Sequence, residues 1–257
     1  MSNPFNNPET VTSFSSAQNE RITPMYFGDL YRKNIIEISR LSIPRNGRML
    51  DIGCGAGRVA EAISFDKNIE IVGIDNSEAM IVKAKQKEIP NANFLCQETA
   101  LGFENLGKFD IVVACGLVMY QTSLESQQTI ENAISTLNTT GRVLFNTMSP
   151  FLFDPSSASN HVDNFPFQVK QNKDNPEQFN GKYFSKDGNY FEAKFYNNHN
   201  HLVKYLMSRK DVSVKIRLLR ASRENLDKIG GIFEYCELTD IPMMYIFEIS
   251  KIKSIKN

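Results

Sequence analysis

The sequence of 257 residues contains no tryptophan, three histidines and four cysteines. The cysteines Cys54, Cys96, Cys115 and Cys236 lie far apart without a Cys-x-x-Cys pair, so they predict no metal site. Most of them lie in apolar runs, and we expect buried free thiols. The sequence also has no excess of charge of either sign, since 29 basic side chains stand against 29 acidic ones. This balance argues against a nucleic-acid partner.

Long apolar runs are also missing, since none approaches the ~20 residues that a membrane span requires. Residues 1–20 are polar and carry no basic segment followed by an apolar one, as a secretion signal would. We therefore expect no membrane partner and a location in the reducing cytoplasm.

Short aliphatic runs alternate with helical patterns over the first 148 residues, which predicts a doubly wound α/β sheet. The predicted helices are 29–42, 57–64, 77–88 and 124–138, with a stop at Asn138 and Gly141. The predicted strands are 48–53, 69–75, 93–96, 109–115 and 141–148.

After Pro150 the pattern changes. We expect a long loop or lid over 154–180 and then an antiparallel meander up to Arg220, which includes residues 201–208 and 212–220 as strands. A helix at 222–229 and strands at 232–238 and 243–249 would complete the main sheet. The predicted division is an N-terminal arm and helix (1–46), a core (47–150 plus 221–257) and an inserted lid and antiparallel sheet (151–220).

The stretch MLDIGCGAGR, residues 49–58, indicates a ligand site, because a buried strand leads into glycines and then a helix. Gly53, Gly55 and Gly57 allow a sharp turn close to a ligand, and the helix start attracts an anionic group. Asp75 ends the next strand, where a carboxylate can bind both hydroxyls of a ribose. These features indicate a nucleoside with an anionic tail.

The spacing of the glycines distinguishes between the classes of nucleotide ligand. A dinucleotide fingerprint requires a third glycine at position 58, which is arginine here, so NAD is disfavoured. A P-loop is disfavoured further, because no Gly-Lys-Ser/Thr follows the strand.

With MLDIGCGAG, IVGIDNSEAM, FLCQETA and FDIVVACGLVMY in this order, the sequence resembles the class I S-adenosylmethionine-dependent methyltransferases over residues 47–150. The resemblance implies a seven-stranded, mostly parallel, Rossmann-like sheet with an inserted antiparallel β meander, and S-adenosylmethionine as cofactor. It also implies that the insertion roofs the site or forms a dimer interface, so a homodimer is one expected assembly.

The resemblance further implies a role for each matched residue. The three glycines and Asp51 would hold the methionine half of the cofactor, with Asp51 near its ammonium group. Asp75 would bind the ribose, Asn76 would cover one adenine face and Glu98 would read the adenine amino group, although a solvated carboxylate is an equal alternative for Glu98. The backbone carbonyl of Cys115 would accept from the ammonium group.

Candidate catalytic residues are Tyr120 just after the fourth strand, and His199 and His201 in the insertion. On a strand, His201 would share a face with Tyr205, and at neutral pH it could act as a base. The alternative is that both histidines are turn or surface residues of a hairpin.

The expected substrate is a hydroxyl or amine of a small molecule. The Asn/Asp-Pro-Pro-Tyr/Phe motif of amide and base-amine methylation is absent after the fourth strand, which reads ACGLVMY. Two alternatives stay open: an RNA or protein methyltransferase, and a non-catalytic subunit that binds the cofactor for a partner chain.

Overall fold

The computed structural model describes residues 5, 10–12, 23–64, 68–150, 167–184, 190–220 and 242–252. Its helices are α1 (Thr23–Ser42), α2 (Arg58–Ser64), α3 (Glu78–Lys85), α4 (Ser123–Ser135) and α5 (His199–Ser208). Its strands are β1 (Arg48–Ile52), β2 (Glu70–Asp75), β3 (Ala92–Cys96), β4 (Phe109–Ala114), β5 (Leu137–Met148), β6 (Phe167–Gln171), β7 (Gln178–Phe184), β8 (Tyr190–Tyr196), β9 (Val212–Arg220) and β10 (Pro242–Lys251).

A seven-stranded sheet in the order β3-β2-β1-β4-β5-β10-β9 forms the centre of the fold. Strands β1 to β5 are mutually parallel, whereas β10 pairs antiparallel with both β5 and β9. The aliphatic runs follow from this position, because central parallel strands are covered by helices on both faces. The predicted doubly wound, mostly parallel sheet is confirmed.

Two apolar clusters cover the two faces of this sheet. Side chains of α1, α2 and α3 pack on one face with Met49 and Ile71, and those of α4 and α5 pack on the other with Leu50 and Phe145. Alternation along each strand therefore decides the face on which a side chain lies. Asp51, two residues after Met49, lies on the face of α1.

The far edge of the main sheet differs from the prediction. Residues 243–249 form part of β10 as expected, but Val212–Arg220 is not a strand of the inserted meander. It is β9, the edge strand of the main sheet, which pairs with β10 along nine residues from Val212 to Arg220. Its alternating apolar side chains would fit either sheet, so periodicity alone did not assign the strand.

The inserted antiparallel sheet is confirmed and has the order β6-β7-β8. It begins earlier than predicted, because β6 lies within the stretch interpreted as a loop and pairs with β7 from Phe167 to Gln171. The polar composition of β6 misled the prediction. Residues 151–166 lie outside the described part, as do the predicted helix at 222–229 and strand at 232–238.

The segment His199–Ser208 was predicted as a strand from residue 201, and this prediction is wrong, because it forms helix α5. His199, Leu202 and Leu206 are its buried residues, which is helical spacing. The side-chain amide of Asn198, just before the helix, donates to the carbonyl oxygens of Val118 and Gln121. His201 and Tyr205 therefore do not share a face through strand alternation.

Three boundaries are also corrected. Helix α4 ends at Ser135 and β5 begins at Leu137, so Asn138 and Gly141 lie inside a strand and do not stop the helix. A side chain at Gly141 would lie 2.8 Å from the carbonyl oxygen of Phe109, which shows that glycine serves a close backbone approach there. Helix α1 begins at Thr23, six residues earlier than predicted.

The cysteine prediction holds in part. Cys54 is buried, but Cys96 is exposed because it ends the edge strand β3, of which only Phe94 is fully covered. Cys236 lies outside the described residues. The division of the chain into arm, core and insertion stays a prediction, with β9 reassigned to the main sheet.

Candidate functional site

The turn between β1 and α2 has the left-handed backbone that the glycines predict. Gly53, Gly55 and Gly57 have φ angles of 68°, 51° and 73°. A Cβ atom at Gly53 would lie 3.0 Å from the Leu117 side chain, whereas one at Gly55 would meet no atom within 4 Å. The turn thus packs against the segment after β4 and leaves open space over Gly55.

Asp75 holds this turn in place from the end of β2. Its Oδ2 accepts from the Gly55 amide and its Oδ1 from the Ser77 amide, both at 2.9 Å. Burial raises the pKa of Asp75, and the two amide hydrogen bonds oppose this shift. A carboxylate has about four acceptor positions, so both oxygens can accept further hydrogen bonds from a ligand.

Asp51 is the most unusual group of the site. It is 1% exposed, and its Oδ2 has no hydrogen-bond partner among the described residues. Burial, and secondarily the negative charge of Asp75, raise its pKa to about 8. A buried carboxyl without a partner is costly, and a cationic donor would satisfy it.

Asn76 and Glu98 lie together beside an open cavity. The Asn76 amide donates to Glu98 Oε2 at 3.4 Å, and both side chains are exposed. The cavity has a volume of about 440 Å³ and is lined by Asn76, Cys96, Gln97, Glu98, Leu101 and Asn105. The structure therefore places Asn76 and Glu98 together at this open groove, near Asp75.

Cys115 and Gly116 follow β4 and lie at the same end of the sheet as the Gly53 to Gly57 turn. Burial raises the pKa of the Cys115 thiol to about 12, so this thiol is protonated at neutral pH. The Gly116 amide donates to Oδ1 of Asn146, a buried residue of β5. Sequence reasoning missed Asn146, although an amide within the apolar run VLFNTM was a usable signal.

Tyr120 contacts aromatic rings from two other parts of the chain. Its ring centre is 5.0 Å from that of Phe195 in the inserted sheet and 6.2 Å from that of Phe5. The Phe5 carbonyl oxygen accepts from Ser77 Oγ at 2.5 Å. The described part of the N-terminal arm therefore contacts both the end of β2 and Tyr120.

The two histidines lie apart from this group, on α5. His199 is buried, its Nδ1 lies 2.9 Å from Thr147 Oγ1, and its ring packs on Tyr245. Burial lowers the pKa of His199, which favours its neutral form. His201 Nε2 lies 2.8 Å from Gln127 Oε1 on α4, so both rings contact the α4 side of the sheet rather than Asp51.

The residues present fit an adenosyl ligand with an amino-acid tail. Asp51 can accept from a cation, the space over Gly55 can take the tail, and Asp75 can accept from a pair of hydroxyls. Among the described residues, no group of three or more His, Cys, Asp or Glu side chains is placed to hold a metal ion. Nor does that part of the chain contain a helix long and apolar enough to span a membrane.

Comparisons with known proteins agree with this geometry. A family model described as a methyltransferase domain matches residues 43–209. The ubiquinone biosynthesis O-methyltransferase of Coxiella burnetii is 29% identical over 104 residues, which cover 39% of this chain and 43% of that enzyme. The malonyl-[acyl-carrier protein] O-methyltransferase of Bacillus cereus is 29% identical over 147 residues, 54% of this chain and 50% of that enzyme. The matches thus span half or less of these curated relatives.

Solved structures support the fold over a longer range. A S-adenosylmethionine-dependent methyltransferase from Clostridium acetobutylicum superimposes with a TM-score of 0.61, covering 93% of this chain and 98% of that one at 13% identity. At this identity, the similarity concerns the fold alone.

Proposed function

Because this chain belongs to the class I S-adenosylmethionine-dependent methyltransferases, we propose that it transfers a methyl group to a hydroxyl or amine of a small molecule. The observation that carries the proposal is the buried Asp51 carboxyl, whose Oδ2 has no hydrogen-bond partner among the described residues, next to the open turn at Gly55. When bound, the cofactor supplies an electrophilic methyl group on a sulfonium.

Each part of the site has a proposed task in binding. Asp51 accepts from the ammonium group of the methionine half, which lies over Gly55, and Asp75 accepts from the ribose hydroxyls. Asn76 and Glu98 border the adenine at the open groove. Rigid binding at several points aligns the methyl group with its acceptor, and alignment is the main contribution that a protein makes to such a displacement.

The position of Tyr120 supports an acceptor site between the main sheet and the insertion. Tyr120 follows β4 and packs against Phe195, so the inserted sheet lies beside the end of β4. Aromatic side chains are typical of the walls of small-molecule sites. The curated relatives named for ubiquinone biosynthesis and for malonyl-[acyl-carrier protein] agree with a small acceptor group.

Among the predicted catalytic residues, the contacts favour Tyr120. His199 and His201 hydrogen-bond to Thr147 and Gln127 on the α4 side of the sheet, so we propose structural roles for them. A base is needed only where the acceptor must lose a proton during transfer.

Cofactor binding is tested by thermal denaturation with S-adenosylmethionine or NAD. A ligand at 100 times its dissociation constant adds about 2.7 kcal/mol to the free energy of unfolding. We expect this shift with S-adenosylmethionine only, and Asp75→Ala should remove most of it. The control is Asp174→Ala, because Asp174 is exposed and is distant from Asp75 in the sequence. An unchanged shift in Asp75→Ala would refute the ribose contact.

Catalytic roles are tested by methyl transfer to a panel of small hydroxyl and amine acceptors, followed by mass spectrometry. With an acceptor found, Tyr120→Phe should reduce kcat or raise KM about tenfold or more. His201→Gln retains a polar partner for Gln127 and should stay within about threefold of the wild type. Transfer only to RNA or protein, or to no acceptor at all, would contradict the small-molecule proposal.

A further inference from the structure

The peptide bond between Cys115 and Gly116 is held by a side chain of the neighbouring strand. The Gly116 amide donates to Asn146 Oδ1 at 2.8 Å. Asn146 is fully buried, and the pairing of Ala114 with Phe145 places it beside the first residue after β4. The N–H group of Gly116 therefore points towards β5.

The direction of the amide fixes the direction of the carbonyl. In a trans peptide the N–H and C=O groups point to opposite sides of the chain, and no peptide bond in the described residues is cis. Strand β4 lies between β5 and β1. The Cys115 carbonyl oxygen consequently points away from Asn146 and towards β1, which carries Asp51.

The buried side-chain amide of Asn146 has only one of its two ends hydrogen-bonded among the described residues. Its Nδ2 is buried and has no hydrogen-bond partner among the described residues, and a buried donor without a partner destabilises the folded chain. What the side chain supplies is its acceptor oxygen for Gly116. An aliphatic residue between the apolar neighbours Leu144 and Met148 would avoid the unsatisfied Nδ2 but would leave the Gly116 amide without this acceptor.

We propose that Asn146 is a positioning residue for cofactor binding: it turns the Cys115 carbonyl so that this oxygen and the Asp51 carboxylate jointly accept from the ammonium group of the cofactor. This inference rests on the proposed function and deepens it. It assigns Asn146 to the methionine half of the ligand and gives it no part in binding the adenosine half.

Two ligands separate these halves. S-Adenosylhomocysteine carries the amino-acid tail, whereas 5′-methylthioadenosine has the same adenosine and thioether without it. Asn146→Leu should weaken binding of S-adenosylhomocysteine about tenfold, the effect of losing one well-placed hydrogen bond, and leave 5′-methylthioadenosine within about twofold. Asn146→Asp keeps an acceptor oxygen for Gly116 and should restore most of the loss. Calorimetric titration measures all of these affinities.

The outcomes are distinguishable. Equal weakening for both ligands would show general damage to the site, and unchanged affinity for S-adenosylhomocysteine would show that the carbonyl needs no support; each result overturns the role of Asn146 alone. Failure of the wild type to bind either ligand would overturn the proposed function as well. Asn146→Ala replaces Asn146→Leu if the larger side chain prevents folding, and the same comparison applies.

Discussion

Replacing Gly55 by alanine should abolish cofactor binding while the protein still folds. A Cβ atom at this position meets no protein atom within 4 Å, so it enters only the space that we assign to the methionine half of the cofactor. The left-handed φ of 51° adds roughly 1–2 kcal/mol of backbone strain. We expect the affinity for S-adenosylhomocysteine to fall more than about 100-fold, since a steric block removes contacts outright. Calorimetric titration checks the affinity and circular dichroism checks the fold.

The control for backbone strain is Gly107→Ala. Gly107 also has a positive φ, but an added Cβ would contact only the guanidinium of Arg48. Arg48 begins β1 and therefore lies at the end of the sheet opposite the Gly53 to Gly57 turn. This variant should lose stability and keep its affinity for the cofactor. If Gly55→Ala binds as well as Gly107→Ala does, the tail of the cofactor lies elsewhere.

The second large effect is expected from Asp51→Asn, which should stabilise the cofactor-free protein at alkaline pH and weaken cofactor binding. The pKa of Asp51 is about 8 in the folded chain, against an ordinary value of 3.8. Between these values the folded chain holds a proton that the unfolded chain has released, so the free energy of unfolding falls as the pH rises towards 8. From pH 6 to pH 8.5 the wild type should lose about 2 kcal/mol through this group.

Asparagine cannot ionise, so the variant should not show this loss. The difference between its melting temperature and that of the wild type should be roughly 4–8 °C larger at pH 8.5 than at pH 6, and should close only below about pH 4, where Asp51 is protonated in the unfolded chain as well. Binding of S-adenosylmethionine should weaken at both pH values, because the carboxylate that pairs with the ammonium group is gone. Thermal scans across this pH range provide the measurement.

Asp174→Asn is the matched control, because Asp174 is exposed and the change removes the same charge. Its melting temperature should follow that of the wild type at every pH. A parallel loss of stability in Asp51→Asn and the wild type would show that another group causes the pH dependence. Unchanged binding of S-adenosylmethionine would remove Asp51 from the site.

Sequence patterns predicted the elements whose residues carry a local signal. The turn at Gly53 to Gly57 and the buried strands β1 and β2 follow from residue types that few other conformations accept. The carboxyl ends of parallel strands lie at one end of a sheet, which explains why Asp51 and Asp75 lie close enough for the charge of Asp75 to raise the pKa of Asp51. Their assignment to cofactor binding stays a prediction that the proposed experiments test.

The secondary structure of residues 201–220 was harder to predict, because it depends on tertiary contacts. Residues 201–208 alternate acceptably as a strand, yet burial of Leu202 and Leu206 together with the Asn198 hydrogen bonds favours a helix. Strand β9 has the alternation of any half-buried strand, and its partner β10 lies about thirty residues further along the chain. The role of Asn146 depends on strand order, which no local pattern contains.

The most direct test of the whole account is a crystal structure of this chain with S-adenosylhomocysteine. We predict that the ammonium group lies within hydrogen-bond distance of Asp51 and of the Cys115 carbonyl oxygen, that the tail crosses Gly55 and that the ribose hydroxyls bind Asp75. A ligand bound away from the Gly53 to Gly57 turn, with Oδ2 of Asp51 still lacking a hydrogen-bond partner, would contradict it.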